Sequence, residues 1–467
     1  MIARAGLGLV VFAVMTGAIF SRPAKSLNDF DQPVYLTIAY DMERYGVFSN
    51  GVFDTADSTE SMPSPGMSFG PVYPWIVLIS MKIDARFAEA VRCAVENDRG
   101  HDDVNSCETY AAPVLLAHAF FLTIAILAIA RAAELIFGGL RMFWLAASLS
   151  TLGLLPETDL FSFAMTESTT LFLYSVLALD MVLFYSTQLP RYVVAGGFLL
   201  GLLTLTRAEY VVLLPAFVAL VFWYSTQRGR LRQALVFVAA FFVVLGPWIG
   251  RNAISVGKLG LSEEYGSASM IERFAFDEMT AKEYALIAAY CVGTIGAATV
   301  DGLFGEEAMR RFHYDKEGSF FAIGRGHRNE LMAMYGKLDP IIWGEVRGEM
   351  ARNWWRYILV TFPLAWCGMW VGLPVSLLIM PLFVLGVAHT VRTGNWLFLT
   401  YSVPAFVMLA LHAAVANHYT RYNLILIGPF SIAAGHTLIW WTSWFLQSRA
   451  VISLGASGPR IRLRQLP

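Results

Sequence analysis

The 467-residue chain is 57% hydrophobic, 14% aromatic and only 15% charged, more apolar than a water-facing surface tolerates, so the bilayer is its expected solvent. A formal net charge of -1 leaves no basic excess to neutralise a phosphodiester backbone, and no nucleic acid is expected as a partner. Cys93, Cys107, Cys291 and Cys367 have no spacing that would build a tetrahedral zinc site.

A bilayer core about 30 Å thick takes roughly 20 apolar residues per helix, and about ten runs in the chain approach that length. The first, Ala5 to Phe20, follows Arg4; no small-x-small cleavage site comes after it, so it reads as a retained anchor rather than a signal-peptide core. A long polar loop then runs from Ser21 to Ala112 and opens with SLNDFDQPVYLTIAYDMERYGVFSNG. Asp29 and Asp31 would share a face in an extended segment and diverge in a helix. Tyr35 would lie beside Asp31 on a helix starting there. The ordinary alternative for either aspartate is capping of free backbone N–H groups. Cys93 and Cys107 flank an acidic stretch that an oxidising compartment could close with a disulfide, although spacing says nothing of Cα separation.

Further runs lie near Pro113 to Leu135, Met142 to Leu155, Thr169 to Tyr185, Tyr192 to Leu205, Tyr210 to Tyr224 and Ala234 to Ile249. Their edges carry Glu157 and Asp159, then Glu167, then Arg207 and Glu209, and finally Arg251 in GPWIGRN. A second long loop extends from Arg251 to about Gly372. In it MIERFAFDEMTAKEYALIAAYCV and PIIWGEVRGEMARNWWRYILV have the apolar spacing of helices lying along a membrane surface. Trp354 to Trp370 fits either a further span or the interface. The last runs are near Pro374 to Ala388, Trp396 to Leu411 and Leu424 to Phe445, with His418, Arg421 and Tyr422 between the final two.

Arg4, Arg131, Arg141, Arg191, the Arg228, Arg230 and Arg232 cluster, Arg392, and Arg460, Arg462 and Arg464 fall on one side, which the positive-inside rule makes cytoplasmic. Alternating the spans from there puts both long loops and the edge carboxylates outside. Each loop far exceeds the ~15 residues beyond which a loop is usually functional or disordered. The absence of an internal repeat or an inverted pair of interrupted spans argues against a secondary transporter.

Singly, each edge charge has a bland reading as a snorkelling arginine, a belt tyrosine or a helix cap. Together they place arginines and carboxylates at one depth, where charge is costly and marks a site. Arginine binds a phosphate oxygen pair bidentately and a carboxylate takes a proton from an attacking hydroxyl. A lipid donor suits this arrangement, its chain among the spans and its phosphate beside Arg251 or Arg421. Phosphate being a good leaving group, one base and cationic stabilisation suffice without a Gly-rich loop.

With those residues in view, nearly the whole chain resembles the GT-C class of membrane glycosyltransferases. The likeness is strongest to the glycosyltransferase family 39 type, related to protein O-mannosyltransferases and the lipid A aminoarabinose transferase. The first-loop pattern of that family is similar to Asp31, Gln32, Tyr35, Ile38, Ala39 and Gly46. Similar matches are GPVYP from Gly70 to Pro74, the TES around Glu167, LTRAE from Leu205 to Glu209, PWIGRN from Pro247 to Asn252, and RYN from Arg421 to Asn423. The resemblance implies an all-α polytopic bundle of about ten transmembrane helices forming a single membrane domain over 1–467, with extracytoplasmic loops over 21–112 and 251–372.

It further implies transfer of a sugar from a polyprenyl-phosphate donor, with Asp31 as catalytic base and Asp29 left as the likelier helix cap. Substrate contacts are expected from Asp29, Tyr35, Asp159, Glu167, Arg207, Glu209, Arg251, His418, Arg421 and Tyr422. The chain departs from the pattern at Gln32, where a second acid is usual, and at Gly70, where a second proline is common. Gln32 counts against a carboxylate pair and a metal held by it, so no cofactor is expected and a divalent metal, though possible, is not indicated. Glu157, Asp159 or Glu167 remain as second acids. The expected partners are the lipid-linked donor, an acceptor that is glycan, lipid or protein, and membrane lipids. The expected location is a bacterial inner membrane with the site facing the periplasm. A lipid or sugar transporter and a non-catalytic envelope-assembly subunit are the alternatives. A transporter would place its polar residues near the midplane, whereas these cluster at one edge, with Asp180 and His118 the main exceptions.

Overall fold

The computed structural model describes residues 2–51, 62–100, 107–263, 265–314, 316–335, 339–416 and 420–455. Among these, all regular structure is helical. His418 and the Arg460, Arg462 and Arg464 group lie outside the described residues.

The first-loop elements follow α1 (Ile2–Phe20) and are α2 (Gln32–Arg44), α3 (Val72–Ile83) and α4 (Ala85–Gly100). The bundle continues with α5 (Ala112–Phe137), α6 (Leu140–Leu154), the short α7 (Thr158–Phe161), α8 (Glu167–Thr187), α9 (Pro190–Thr206), α10 (Leu213–Tyr224) and α11 (Arg230–Ser255). The second loop holds α12 (Tyr265–Phe274), α13 (Ala281–Tyr290), α14 (Gly293–Phe304), α15 (Glu306–Arg310), α16 (Phe320–Tyr335) and α17 (Asp339–Gly368). The chain then runs through α18 (Ser376–Thr393), α19 (Trp396–Val415) and α20 (Ile427–Gly455).

Each of the ten apolar runs folds as a helix. By length and hydropathy, six helices can cross a membrane: Ala112–Phe137, Glu167–Thr187, Arg230–Ser255, Ser376–Thr393, Trp396–Val415 and Thr420–Leu446. The other four apolar stretches, Arg4–Phe20 in α1, Leu140–Leu154, Pro190–Thr206 and Ala208–Tyr224, are shorter: at about 1.5 Å per residue a helix the length of α9 falls short of the hydrocarbon thickness. They complete the bundle by packing on the longer ones, α1 against α5, α6 against α5 and α20, α9 against α8 and α11, and α10 against α11. Gly197 and Gly201 make the α9–α11 approach possible, since a Cβ at Gly197 would stand 2.3 Å from the Phe237 carbonyl oxygen.

The second loop is folded, with a core that includes Phe276, Ile287, Phe312 and Phe320. Arg273, 0% exposed, pairs with Asp277 and donates to the carbonyls of Tyr357, at 2.9 Å, and Ala413, at 3.3 Å. One buried guanidinium thus ties α12 to α17 and to the end of α19. Beyond a kink at Asn353, α17 buries Tyr357, Val360, Leu364 and Cys367 and exposes Trp354, Trp355, Ile358 and Phe362. This segment is not among the six spans and carries one exposed apolar face. The Cys93–Cys107 disulfide is formed, and a second joins Cys291 to Cys367 across the second loop.

Of the two midplane exceptions, His118 is a core residue: its Nδ1 donates to the Phe161 carbonyl at 3.0 Å and its Nε2 accepts from the Tyr73 hydroxyl at 2.9 Å. Asp180 is buried against α9, its Oδ2 3.2 Å from where a Cβ at Gly196 would sit.

Candidate active site

Antiparallel neighbours bring the start of α8 and the ends of α9 and α19 to one end of the bundle, and the first loop folds over that end. Gly70 makes a close contact between the two. A Cβ there would stand 2.0 Å from the Leu205 carbonyl oxygen, so this position takes glycine where the resembled pattern takes proline. GPVYP and LTRAE therefore meet through their backbones.

Asp31 is presented by a strained turn. Phe30 has φ 55, a left-handed conformation that costs a bulky residue roughly 1–2 kcal/mol, and its ring packs edge-on against Phe163 at 4.8 Å. Asp31, not Asp29, takes the N-cap position of α2, yet its side chain makes no capping bond. A cap bonds the N–H of the second or third helical residue, and the second here is Pro33, which has none. The Asp31 carboxylate instead receives the Arg421 guanidinium, Nη2 to Oδ2 at 2.9 Å, and 35% of its side chain is open to solvent.

Gln32, the departure from the resembled motif, is 1% exposed and fully engaged. Its Nε2 donates to the carbonyls of Ser26 at 2.9 Å and Asp29 at 3.1 Å, while its Oε1 accepts from the Ala164 N–H at 2.7 Å. A glutamate could not make the two donations. Gln32 is a clamp joining the first loop to the turn that leads into α8.

Three residues past Ala164, Glu167 enters the same cluster. Its side chain is 5% exposed, and Oε1 lies 3.9 Å from Arg207 and 4.0 Å from Arg421. These are ion-pair distances without hydrogen bonding, and Oε2 has no hydrogen-bond partner among the described residues. Arg207 donates to Glu209 at 2.7 Å. Both guanidiniums stack on Tyr422, with 4.7 Å from Arg207 and 5.0 Å from Arg421 to the ring centroid. Arg421 also donates to the Tyr422 hydroxyl at 3.1 Å. Asp31, Glu167, Arg207, Glu209, Arg421 and Tyr422 form one cluster, with two cations and three carboxylates around one ring.

The other expected contacts fall elsewhere. Arg251, expected beside a donor phosphate, donates to the carbonyls of Phe48, at 2.7 Å, and Gly66, and stacks on Phe48 and Trp248. Its charge is absorbed in shaping the first loop. Tyr35 is buried, with Phe69 and Tyr73 at 5.5 and 5.1 Å, because the helix starts one residue past Asp31 and turns Tyr35 inward. Asp159 pairs with Lys25 at 2.7 Å. Asp29 contributes its carbonyl to the Gln32 clamp and caps no helix, correcting that expectation. Glu157 accepts from the Gly372 N–H at 2.8 Å, and its burial raises its carboxyl above the ordinary range against the lowering effect of that bond. Among the described residues, no group of three or more His, Cys, Asp or Glu side chains is arranged to hold a metal ion.

A polytopic all-α membrane protein is the class this architecture defines. No family model matches the sequence, and no curated protein matches it. Among solved structures it is similar to the Archaeoglobus fulgidus oligosaccharyltransferase in complex with zinc and sulfate, with 12% identity, a TM-score of 0.48, and coverage of 96% of this chain and 51% of that one. It is also similar to ArnT from Cupriavidus metallidurans bound to undecaprenyl phosphate, with 14% identity, a TM-score of 0.37, and coverage of 94% and 77%. The chain spans about half the length of the Archaeoglobus enzyme.

Proposed function

We propose that the chain is a glycosyltransferase that moves a sugar from a polyprenyl-phosphate donor to an acceptor outside the cytoplasm, in the inner membrane of a bacterial cell envelope. The observation that carries this reading is the contact between the partly open Asp31 carboxylate and the Arg421 guanidinium at 2.9 Å. A base and a phosphate-binding cation stand side by side at one end of a membrane bundle. Asp31 takes the proton of the acceptor hydroxyl. Arg421 and Arg207, both held against Tyr422, stabilise the charge that grows on the departing phosphate. Glu167, buried behind them, sets the field and orientation of the two guanidiniums.

The motifs that resemble family 39 transferases fall largely on this cluster. The disulfides support an extracytoplasmic location for the loops, since such bonds persist in oxidising compartments.

The test is transfer by purified protein from radiolabelled undecaprenyl-phosphate hexoses and pentoses into a membrane extract. Wild type is expected to transfer and Asp31→Asn to lose at least about 100-fold of that rate, in keeping with removal of a general base. No transfer from any donor, or an unaffected Asp31→Asn, would sink the proposal. For sidedness, the four cysteines should resist a membrane-impermeant maleimide on spheroplasts until an impermeant phosphine is added outside.

A further inference from the structure

His412 sits in the last turn of α19, only 5% exposed and in none of the motifs above. Its Nδ1 lies 3.0 Å from the Asn423 side-chain oxygen. That oxygen can only accept, so Nδ1 carries the ring proton, and in the neutral ring Nε2 is a lone-pair acceptor. Nε2 is buried and has no hydrogen-bond partner among the described residues.

The ring is held firmly. Asn423 leaves helical geometry at φ -106, ψ 15, and its amide presses on α17 where a Cβ at Gly368 would stand 2.5 Å from Nδ2. The imidazole is 5.6 Å, centroid to centroid, from Tyr422, the ring that carries Arg207 and Arg421.

An acceptor buried without a donor forfeits its hydration, and a donor arriving with the substrate would restore the missing bond. The phosphate cannot supply it, because an ionised phosphodiester offers only acceptor oxygens and would meet the lone pair unfavourably. A sugar hydroxyl can. We propose that Nε2 of His412 accepts a hydrogen bond from a hydroxyl of the donor sugar, which makes His412 a specificity-determining residue. The proposal rests on the glycosyltransferase reading above.

The experiment uses the full chain in nanodiscs, treated with diethyl pyrocarbonate. Carbethoxylation of the His412 peptide is read by mass spectrometry in the free protein, with undecaprenyl phosphate, and with undecaprenyl-phosphate hexoses and pentoses. Transfer is measured on the same samples, together with His412→Gln, which keeps an acceptor near the Nε2 position, and His412→Leu, which does not.

The expected result is modification in the free protein, at least fivefold protection by a sugar-linked lipid and none by undecaprenyl phosphate. With it, kcat/KM should fall at least tenfold in His412→Leu and recover in His412→Gln. An unreactive His412 in the free protein would show a sealed nitrogen and overturn the proposal. Equal protection by the sugar-free lipid would mean contact with phosphate or chain and overturn it too. So would no protection, or equal kinetics in the two variants, in a protein that transfers sugar. If wild type neither binds nor transfers any donor, the glycosyltransferase reading fails first and takes this one with it.

Discussion

The two ends of the bundle hold similar sets of charges put to different use. At one end Glu134 lies between Arg4 at 2.5 Å and Arg131 at 2.7 Å, with both arginines about two-fifths exposed. At the other, Glu167 lies between Arg207 and Arg421 at 3.9 and 4.0 Å, far more deeply buried. The first carboxylate is engaged by its arginines and ties α1 to α5. The second stands at ion-pair distance from two guanidiniums that hydrogen-bond other residues, Arg207 to Glu209 and Arg421 to Asp31 and Tyr422. One Arg–Glu–Arg set fastens two helices, and the other gathers two guanidiniums at one tyrosine ring.

Neutralising each carboxylate tests that contrast. Glu167→Gln should lower kcat/KM by about 100-fold or more, the usual cost of disturbing preorganised charge, with far-UV circular dichroism unchanged; a loss below threefold would make Glu167 another fastening. Gln32→Glu removes two N–H donations and leaves the Ser26 and Asp29 carbonyls unmatched. It should cost about 1–3 kcal/mol of stability in denaturant titrations and about tenfold in rate through displacement of Asp31. Glu134→Gln should leave turnover within twofold and cost under about 1 kcal/mol, as partly exposed ion pairs do.

The smallest effect concerns Glu157. Because burial holds its folded carboxyl above the ordinary value of 4.5, the proton is bound more tightly in the native state. Its stabilising contribution is therefore present below the unfolded value and lost as pH rises through the folded one. Thermal melts of wild type should show that decline above about pH 4.5, and Glu157→Gln should flatten it.

The spans were legible because a bilayer imposes long apolar runs, and the edge charges stood out against them. Asp31 was legible through its motif, but not through its surroundings. The missing N–H of Pro33 removes one of the two groups this aspartate could cap and is visible in the letters, whereas the positive φ at Phe30 and the Arg421 contact are not. Arg251 looked equivalent to Arg421, since nothing in PWIGRN tells of two loop carbonyls waiting for its guanidinium. His412 sits one residue past an apolar run and belongs to no motif, and its partner Asn423 lies beyond the turn. The Cys291–Cys367 bridge spans 76 residues, a separation over which sequence carries no pairing signal. Depth, too, separated equals: Glu157, Asp159 and Glu167 are interchangeable as letters, and only Glu167 reaches the arginines.

The Gln32 clamp has a consequence for how such a protein can change. One side-chain amide spans the short stretch of chain behind Asp31 and the turn three residues ahead of Glu167, so the distance between these two carboxylates is fixed by a single rigid strut. Drift in either segment carries both carboxylates along together. The segments that carry Arg207 and Glu209, and Arg421 and Tyr422, lie outside the reach of this clamp and can shift without moving it.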